Sequence, residues 1–304
     1  FGRLDHNVEV AAGDAQKYIR LNTSRSVSDS YKDGNGTTVP SDWERWNADV
    51  ALGWTPDSDT WVELTGGKAD GEAVYAGRAM DGSKFARESL GLRVEKRNVS
   101  DVIRKIEAQV NYNFNDHVMD NYSLREFKPG GMMSMPMATN VARKTLNARM
   151  AITSEWDNLQ LITGIDNQNN QHSKRNGNLM TAYQNKPRIK DMEFQSIGGF
   201  GELSYEVSDN HKLVSGLRLD QVKVEAVESN QERKETLPSA FFCFENQHPD
   251  HDDGKTYIGI GYVERMPDYW ELFSPKSGNG HPNTFKNIDT EKTLQLDIGY
   301  QHEH

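Results

Sequence analysis

Apolar and polar residues alternate along much of this chain with a period of two. Ile106, Ala108, Val110, Tyr112 and Phe114 are apolar, with Glu107, Gln109, Asn111, Asn113 and Asn115 between and after them. Leu294, Leu296, Ile298 and Tyr300 repeat the pattern against Gln295, Asp297 and Gly299. So do Leu146, Ala148, Met150 and Ile152, then Leu159, Leu161, Thr163 and Ile165, then Leu90, Leu92 and Val94. Period two is the strand period, because successive side chains leave a strand on opposite faces. The pattern predicts about twelve strands, near residues 16–27, 45–55, 61–67, 85–96, 102–116, 144–154, 159–170, 193–206, 212–226, 236–247, 256–266 and 291–302.

The apolar face of each predicted strand runs four or five positions, which fits the roughly 9–11 residues of a tilted membrane strand. That face carries no charge, and a Lys or Arg in mid-bilayer costs roughly 2–4 kcal/mol. Alternation alone also fits a soluble sandwich. The connections discriminate better. Residues 56–59, 97–100, 155–158 and 207–210 are tight turns, whereas 28–44, 68–84, 117–143, 171–192 and 267–290 are long and polar. Short and long connections alternate in step, as in a meander with short periplasmic turns and longer outer loops. A compact soluble domain rarely holds several long structureless loops. The fold expected is therefore all-β, an antiparallel transmembrane β-barrel. A propeller or solenoid would need a fixed repeat, and none is visible.

Composition narrows this further. The 304 residues include one cysteine, carry a formal net charge of -10 and are 35% hydrophobic. Mean hydropathy is -0.80. No stretch approaches the ~20 apolar residues of a membrane helix, a limit that does not apply to barrels. No basic run marks a nucleic-acid partner. A lone cysteine excludes an internal disulfide. Enzyme signatures such as a P-loop, GxSxG, HExxH or a dinucleotide fingerprint are absent, so no enzymatic activity is expected. No leader is read at Phe1, and both ends look cut or processed.

Two segments carry candidate metal chemistry. In Asp116-His117-Val118-Met119-Asp120, His117 and Met119 continue the odd-numbered polar series, so both are expected to face away from lipid. An imidazole and a thioether two residues apart can share a soft metal such as copper. Spacing alone fits equally a polar histidine at a loop base beside an unrelated methionine, and on spacing alone that plainer account prevails. The second segment holds Met132, Met133, Met135 and Met137 in an expected outer loop. Clustered thioethers can capture Cu(I), or can fill gaps in a loop tucked into a barrel mouth. Cys243 has opposite parity to Phe242 and Phe244 and reads as a small packed residue. The run from His248 to Asp253 reads as a solvated turn, and Tyr269, Trp270 and Phe273 as an interfacial girdle or a packed loop base.

Three stretches resemble one family. GYVERMPDYWELFSP (261–275), DHVMDNYSLR (116–125) and MPMATN (135–140) are similar to segments of TonB-dependent copper receptors. The resemblance implies a 22-stranded barrel with an N-terminal plug in a Gram-negative outer membrane, energised through the TonB complex. It implies copper, as Cu(I) or Cu(II), as transported ligand, without an organic cofactor. It also implies copper ligands from a CxxxM pair in the plug and an HxM pair in the barrel, and His117 and Met119 match the latter. No CxxxM occurs in this chain, and no plug is visible. Residues 1–304 are therefore expected to be one incomplete barrel domain, with partners being the TonB complex, outer-membrane lipid and copper. The alternatives are a TonB-dependent receptor for a siderophore or other metal chelate, and a soluble all-β binding module.

Overall fold

The structure is a computed structural model that describes residues 2–129, 133–248, 254–272 and 284–302. Its strands are β1 (Arg3–Gly13), β2 (Lys17–Ser28), β3 (Tyr31–Lys32), β4 (Thr38–Val39), β5 (Trp43–Asp57), β6 (Thr60–Ala73), β7 (Asp81–Arg97) and β8 (Ile103–Asp120). They continue with β9 (Met137–Trp156), β10 (Leu159–Asn178), β11 (Ile189–Ser208), β12 (His211–Ala226), β13 (Gln231–His248), β14 (Gly254–Arg265) and β15 (Glu291–Gln301). Two single-turn helices, α1 (Tyr269–Leu272) and α2 (Thr284–Asn287), lie between the last two strands. No helix among the described residues is long and apolar enough to cross a membrane.

Thirteen strands form one sheet in chain order, and β3 with β4 makes a separate two-stranded hairpin. The sequence pattern gives about twelve strands; β1 is the additional one. Several strands also outrun the pattern. β8 continues to Asp120 and β9 begins at Met137, so the long connection expected over 117–143 shrinks to 121–136. Likewise β10 ends at Asn178 and β11 starts at Ile189. The apolar alternation stops where lipid would stop, but the hydrogen-bonded ladder continues, with Asp116, Asp120 and Asn140 now on the face that is apolar further along.

The chain divides into two compact units. The first comprises Phe1–Arg93, Val110–Leu146 and Asn170–Glu193. On one face of its sheet, Ala12, Ile19, Leu52 and Leu64 form a cross-strand row, and Val10, Leu21, Val50 and Gly66 form the next. Trp46 and Trp54 stand at the two ends of this face on β5, and both are exposed. Aromatic girdles of barrels occupy such positions, where an amphipathic ring meets headgroups. The opposite face is polar: the Tyr18 hydroxyl donates to Glu63 (2.5 Å), as does Arg20 (2.7 Å), and Arg87 pairs with Asp49 (3.1 Å).

The second unit comprises Val94–Gln109, Asn147–Asn169 and Phe194–His304. Its apolar rows are longer. Leu213, Phe244, Ile258 and Ile298 are in register, as are Ser215, Phe242, Ile260 and Leu296, and Leu217, Ala240, Tyr262 and Leu294. Leu217 and Leu294 are each 72% exposed, so this contiguous apolar surface has no protein cover. In water such a patch drives association; in a bilayer it is solvated. On the other face, Arg218 is held between Asp166 (2.7 Å) and Asp220 (2.5 Å), and Arg149 lies 4.3 Å over the Phe200 ring. Cys243 pairs with Gly259 on this polar face, as its parity predicts.

Tight turns close the hairpins. Asp14 accepts the backbone N–H groups of Gln16 (2.8 Å) and Lys17 (3.0 Å), and these bonds hold its carboxyl below the usual aspartate range. Asn98 and Asp157 take positive φ (49° and 33°) in the β7–β8 and β9–β10 turns, a conformation that Asn and Asp tolerate best after glycine.

Candidate functional site

His117 and Met119 lie on the last turn of pleat in β8, not in a loop. Alternation puts both on one face, and burial follows the same alternation. Asp116, Val118 and Asp120 are buried, whereas His117 and Met119 are half-buried. β9 continues the pattern: Ala138, Asn140 and Ala142 are buried, and Met137, Thr139 and Val141 are half-buried. The Asn121 N–H donates to the Met137 carbonyl (3.3 Å), which sets Met137 opposite Asn121. Met137 is therefore a diagonal cross-strand neighbour of Met119 on the same face, within reach of a long side chain.

The imidazole of His117 stacks on Phe85, with ring centroids 4.7 Å apart and planes 24° from parallel. Its Nε2 is buried and has no hydrogen-bond partner. Leaving a buried polar nitrogen unpaired costs roughly 1–3 kcal/mol. A neutral ring nitrogen without a protein partner is chemically able to coordinate a metal. Among the described residues no three His, Cys, Asp or Glu side chains converge. Any metal held here takes sulfur ligands or further groups.

The opposite, buried face of this strand end is an ionic anchor. Asp116 receives Lys84 (2.9 Å), Arg188 (2.8 Å) and the Asn140 side-chain amide (2.6 Å). Asp120 accepts Ser83 (2.6 Å), the Ser123 hydroxyl and two backbone N–H groups, those of Tyr122 (3.0 Å) and Ser123 (2.8 Å). Burial, with the Asp120 charge nearby, pushes the Tyr122 phenol up, so that ring stays neutral. Asp81 takes Arg125 through two bonds (2.6 and 2.7 Å) and also accepts the Tyr75 N–H (2.9 Å). These groups fix the start of the 121–136 connection against β7 and β8.

The methionine segment is only partly drawn into this arrangement. Asn121 donates to the Met135 carbonyl (3.2 Å) and accepts the Met137 N–H (2.8 Å). Met137 thus joins the His117 face, Met133 is half-buried, and Met135 is 55% exposed. Met132 lies outside the described residues, as do Phe273, His304 and the turn 249–253. Trp270 is exposed beside the buried Tyr269, with the rings edge to face at 4.9 Å. Sequence reasoning missed Asp116 as a hub, together with Lys84, Asn140, Arg175 and Arg188. Arg188 lies 72 residues from Asp116, and no local pattern announces such a pairing.

A sheet with one uncovered apolar face, one charged face, and tight turns alternating with long connections defines an outer-membrane-type β-barrel wall. The family model described as TonB dependent receptor-like, beta-barrel, matches residues 23–303, and the chain belongs to that family. Among solved structures, the "Copper transporter OprC" is 48% identical, with a TM-score of 0.94 over 100% of this chain and 49% of that one. The hemophore receptor HasR of Serratia marcescens shares 13% identity and a TM-score of 0.73, over 98% of this chain and 50% of that one. The FrpB iron transporter of Neisseria meningitidis shares 12% and a TM-score of 0.72, over 99% and 50%. The last two likenesses are of fold alone. The chain spans about half the length of these structures. Comparison with curated proteins returns no match.

Proposed function

We propose that this chain forms barrel wall of a receptor that imports copper ions across a Gram-negative outer membrane, energised by TonB, with His117 and Met119 as two copper ligands. The observation that carries the reading is the 48% identity, across the whole chain, to a copper transporter. The geometry supports it independently. A half-buried thioether and a buried, unpartnered imidazole nitrogen share one face at the end of β8. Thioether sulfur favours Cu(I), and imidazole accepts both oxidation states. Met137 extends the soft donor set from β9, and Met133 and Met135 lie further along the same connection as capture groups. Met132 belongs to the same proposed capture segment.

The test is copper affinity of the detergent-purified receptor, measured by competition with a chelator of known strength. His117→Ala combined with Met119→Ala is expected to weaken copper binding at least tenfold. Unchanged affinity in the double variant rejects the ligand assignment. Binding of an iron chelate in place of copper rejects the cargo.

A further inference from the structure

Behind His117 runs a continuous polar path that ends in the 179–188 connection. Asn140 is 0% exposed and uses its amide fully. Its Nδ2 donates to the Asp116 carboxylate (2.6 Å) and to the backbone carbonyl of His117 (2.9 Å). Its Oδ1 accepts the Nε–H of Arg175 (2.7 Å), on β10. Arg175 then turns its Nη1 to the carbonyls of Gln184 (3.3 Å) and Lys186 (3.2 Å), and its guanidinium lies 5.2 Å from the Tyr183 ring centroid. Tyr183–Asn185 is a 3-10 turn inside that connection. Arg188, at its exit, returns to Asp116.

The connection reaches Arg175 because β10 gives it room. Gly177 is buried, and a Cβ there would stand 2.3 Å from the Tyr183 backbone nitrogen and 2.8 Å from its Cα. Both are backbone atoms, so any side chain at 177 must push the 3-10 turn away. Asn178 caps the same bend by accepting the N–H groups of Met180 (3.0 Å) and Thr181 (2.7 Å).

We propose that Asn140 and Arg175 are positioning residues through which the 179–188 connection sets the pose of His117. The inference rests on the copper-ligand reading above. A carbonyl pinned by a rigid amide fixes the strand backbone at His117, and with it the direction of the imidazole stacked on Phe85. Groups one shell behind a metal ligand orient it, and losing them typically lowers metal affinity about 10–100-fold. The connection's seating thereby becomes a property that the metal site senses.

The experiment uses the detergent-purified receptor loaded with Cu(II) alone, read by chelator competition and by electron paramagnetic resonance. Arg175→Ala and Gly177→Ala are each expected to weaken copper about tenfold and to change the copper hyperfine pattern. Arg175→Lys, which keeps a donor near Gln184 and Lys186 but loses the guanidinium fork, is expected to recover part of the affinity. Asn140→Ala is expected to do more; should it fail to fold, the Arg175 and Gly177 variants still decide the matter. Unchanged affinity and spectrum in both folded variants overturn the inference, as does lower affinity with an unchanged spectrum, which marks a merely structural role. His117→Ala separates the two claims. If it abolishes copper binding while Arg175→Ala does nothing, only the positioning role falls. If it leaves copper bound, the ligand reading falls and this inference falls with it.

Discussion

Ile260 is the sharpest probe of which solvent meets the apolar face. It sits between Phe242 and Leu296 in one cross-strand row. The row on one side is Phe244, Ile258 and Ile298, and the row on the other is Ala240, Tyr262 and Leu294. Each row is two residues away along its strand, about 6.7 Å at ~3.3–3.4 Å per residue. A strand tilt near 45° reduces this to about 5 Å of depth. Ile260 therefore lies near the middle of the apolar band, and a lysine there cannot reach water without stretching past an entire row. Ile260→Lys is expected to cost roughly 2–4 kcal/mol, toward the lower end because the side chain snorkels. Gln295→Lys is the control, since Gln295 faces the polar side and bonds to Asp297 (2.9 Å). Its cost is expected within about 0.5 kcal/mol. Denaturant unfolding of the receptor in phospholipid vesicles measures both. Equal, small costs for the two variants would mean that water or protein, not hydrocarbon, meets the face of Ile260, and the membrane reading would fail.

Other consequences are open to measurement. Arg125→Ala strips the buried Asp81 of its bidentate partner; because the arginine side is 35% exposed, a loss of about 2 kcal/mol is expected, below the 3–5 of a fully buried pair, and thermal unfolding reports it. Met192, 1% exposed on β11, is a packing residue, so Met192→Ala is expected to cost about 2–5 kcal/mol, against less than about 0.5 for Met135→Ala, in the same unfolding assay. Glu271 is held at about 2 by its bonds to Arg265 and to the Asp268 N–H. A depressed carboxyl stabilises above its ordinary range and loses that contribution as pH falls, so the anchoring of α1 should persist through pH 4 and loosen as pH drops toward about 2. Proteolysis confined to the 266–272 segment, or the carboxyl NMR shift of Glu271, follows this. A shift with its midpoint at the usual glutamate value would refute the ion pair with Arg265.

The sequence exposes the part of each strand that lies in lipid and hides the rest, for one physical reason. Period-two hydrophobicity exists only where one side of a strand meets hydrocarbon. Ile106 to Phe114 shows it, and so does Leu294 to Tyr300. β1 shows it over only Val8, Val10 and Ala12, beside His6, and so it escapes the pattern. Cross-strand ladders need no such signal. β8 and β9 carry on to Asp120 and from Met137 because backbone groups still pair there, whatever their side chains. Parity survives this extension, which is why the facing of His117 and Met119 was legible from residues 107–115. Their partners were not. Lys84, Asn140 and Arg175 come from three other strands and Arg188 from the 179–188 connection, and a sequence does not record which distant polar residues meet.

The site's height in the strand follows from the same division. A ligand set within the lipid-matched stretch would have its ring and sulfur on the polar face but hydrocarbon-facing residues behind it, unable to bond to one another. Above Phe114 the even-numbered face is free to carry charge: Asp116 and Asp120 flank Val118 there and collect cations and a hydroxyl from β7 and from the 179–188 connection. Only there can a single strand present a soft donor pair on one side and be clamped by buried hydrogen bonds on the other. Metal affinity needs preorganised ligands, and preorganisation needs that second, polar side. The residues positioned to preorganise the proposed ligands His117 and Met119 therefore lie beyond the point where the hydrophobic pattern ends.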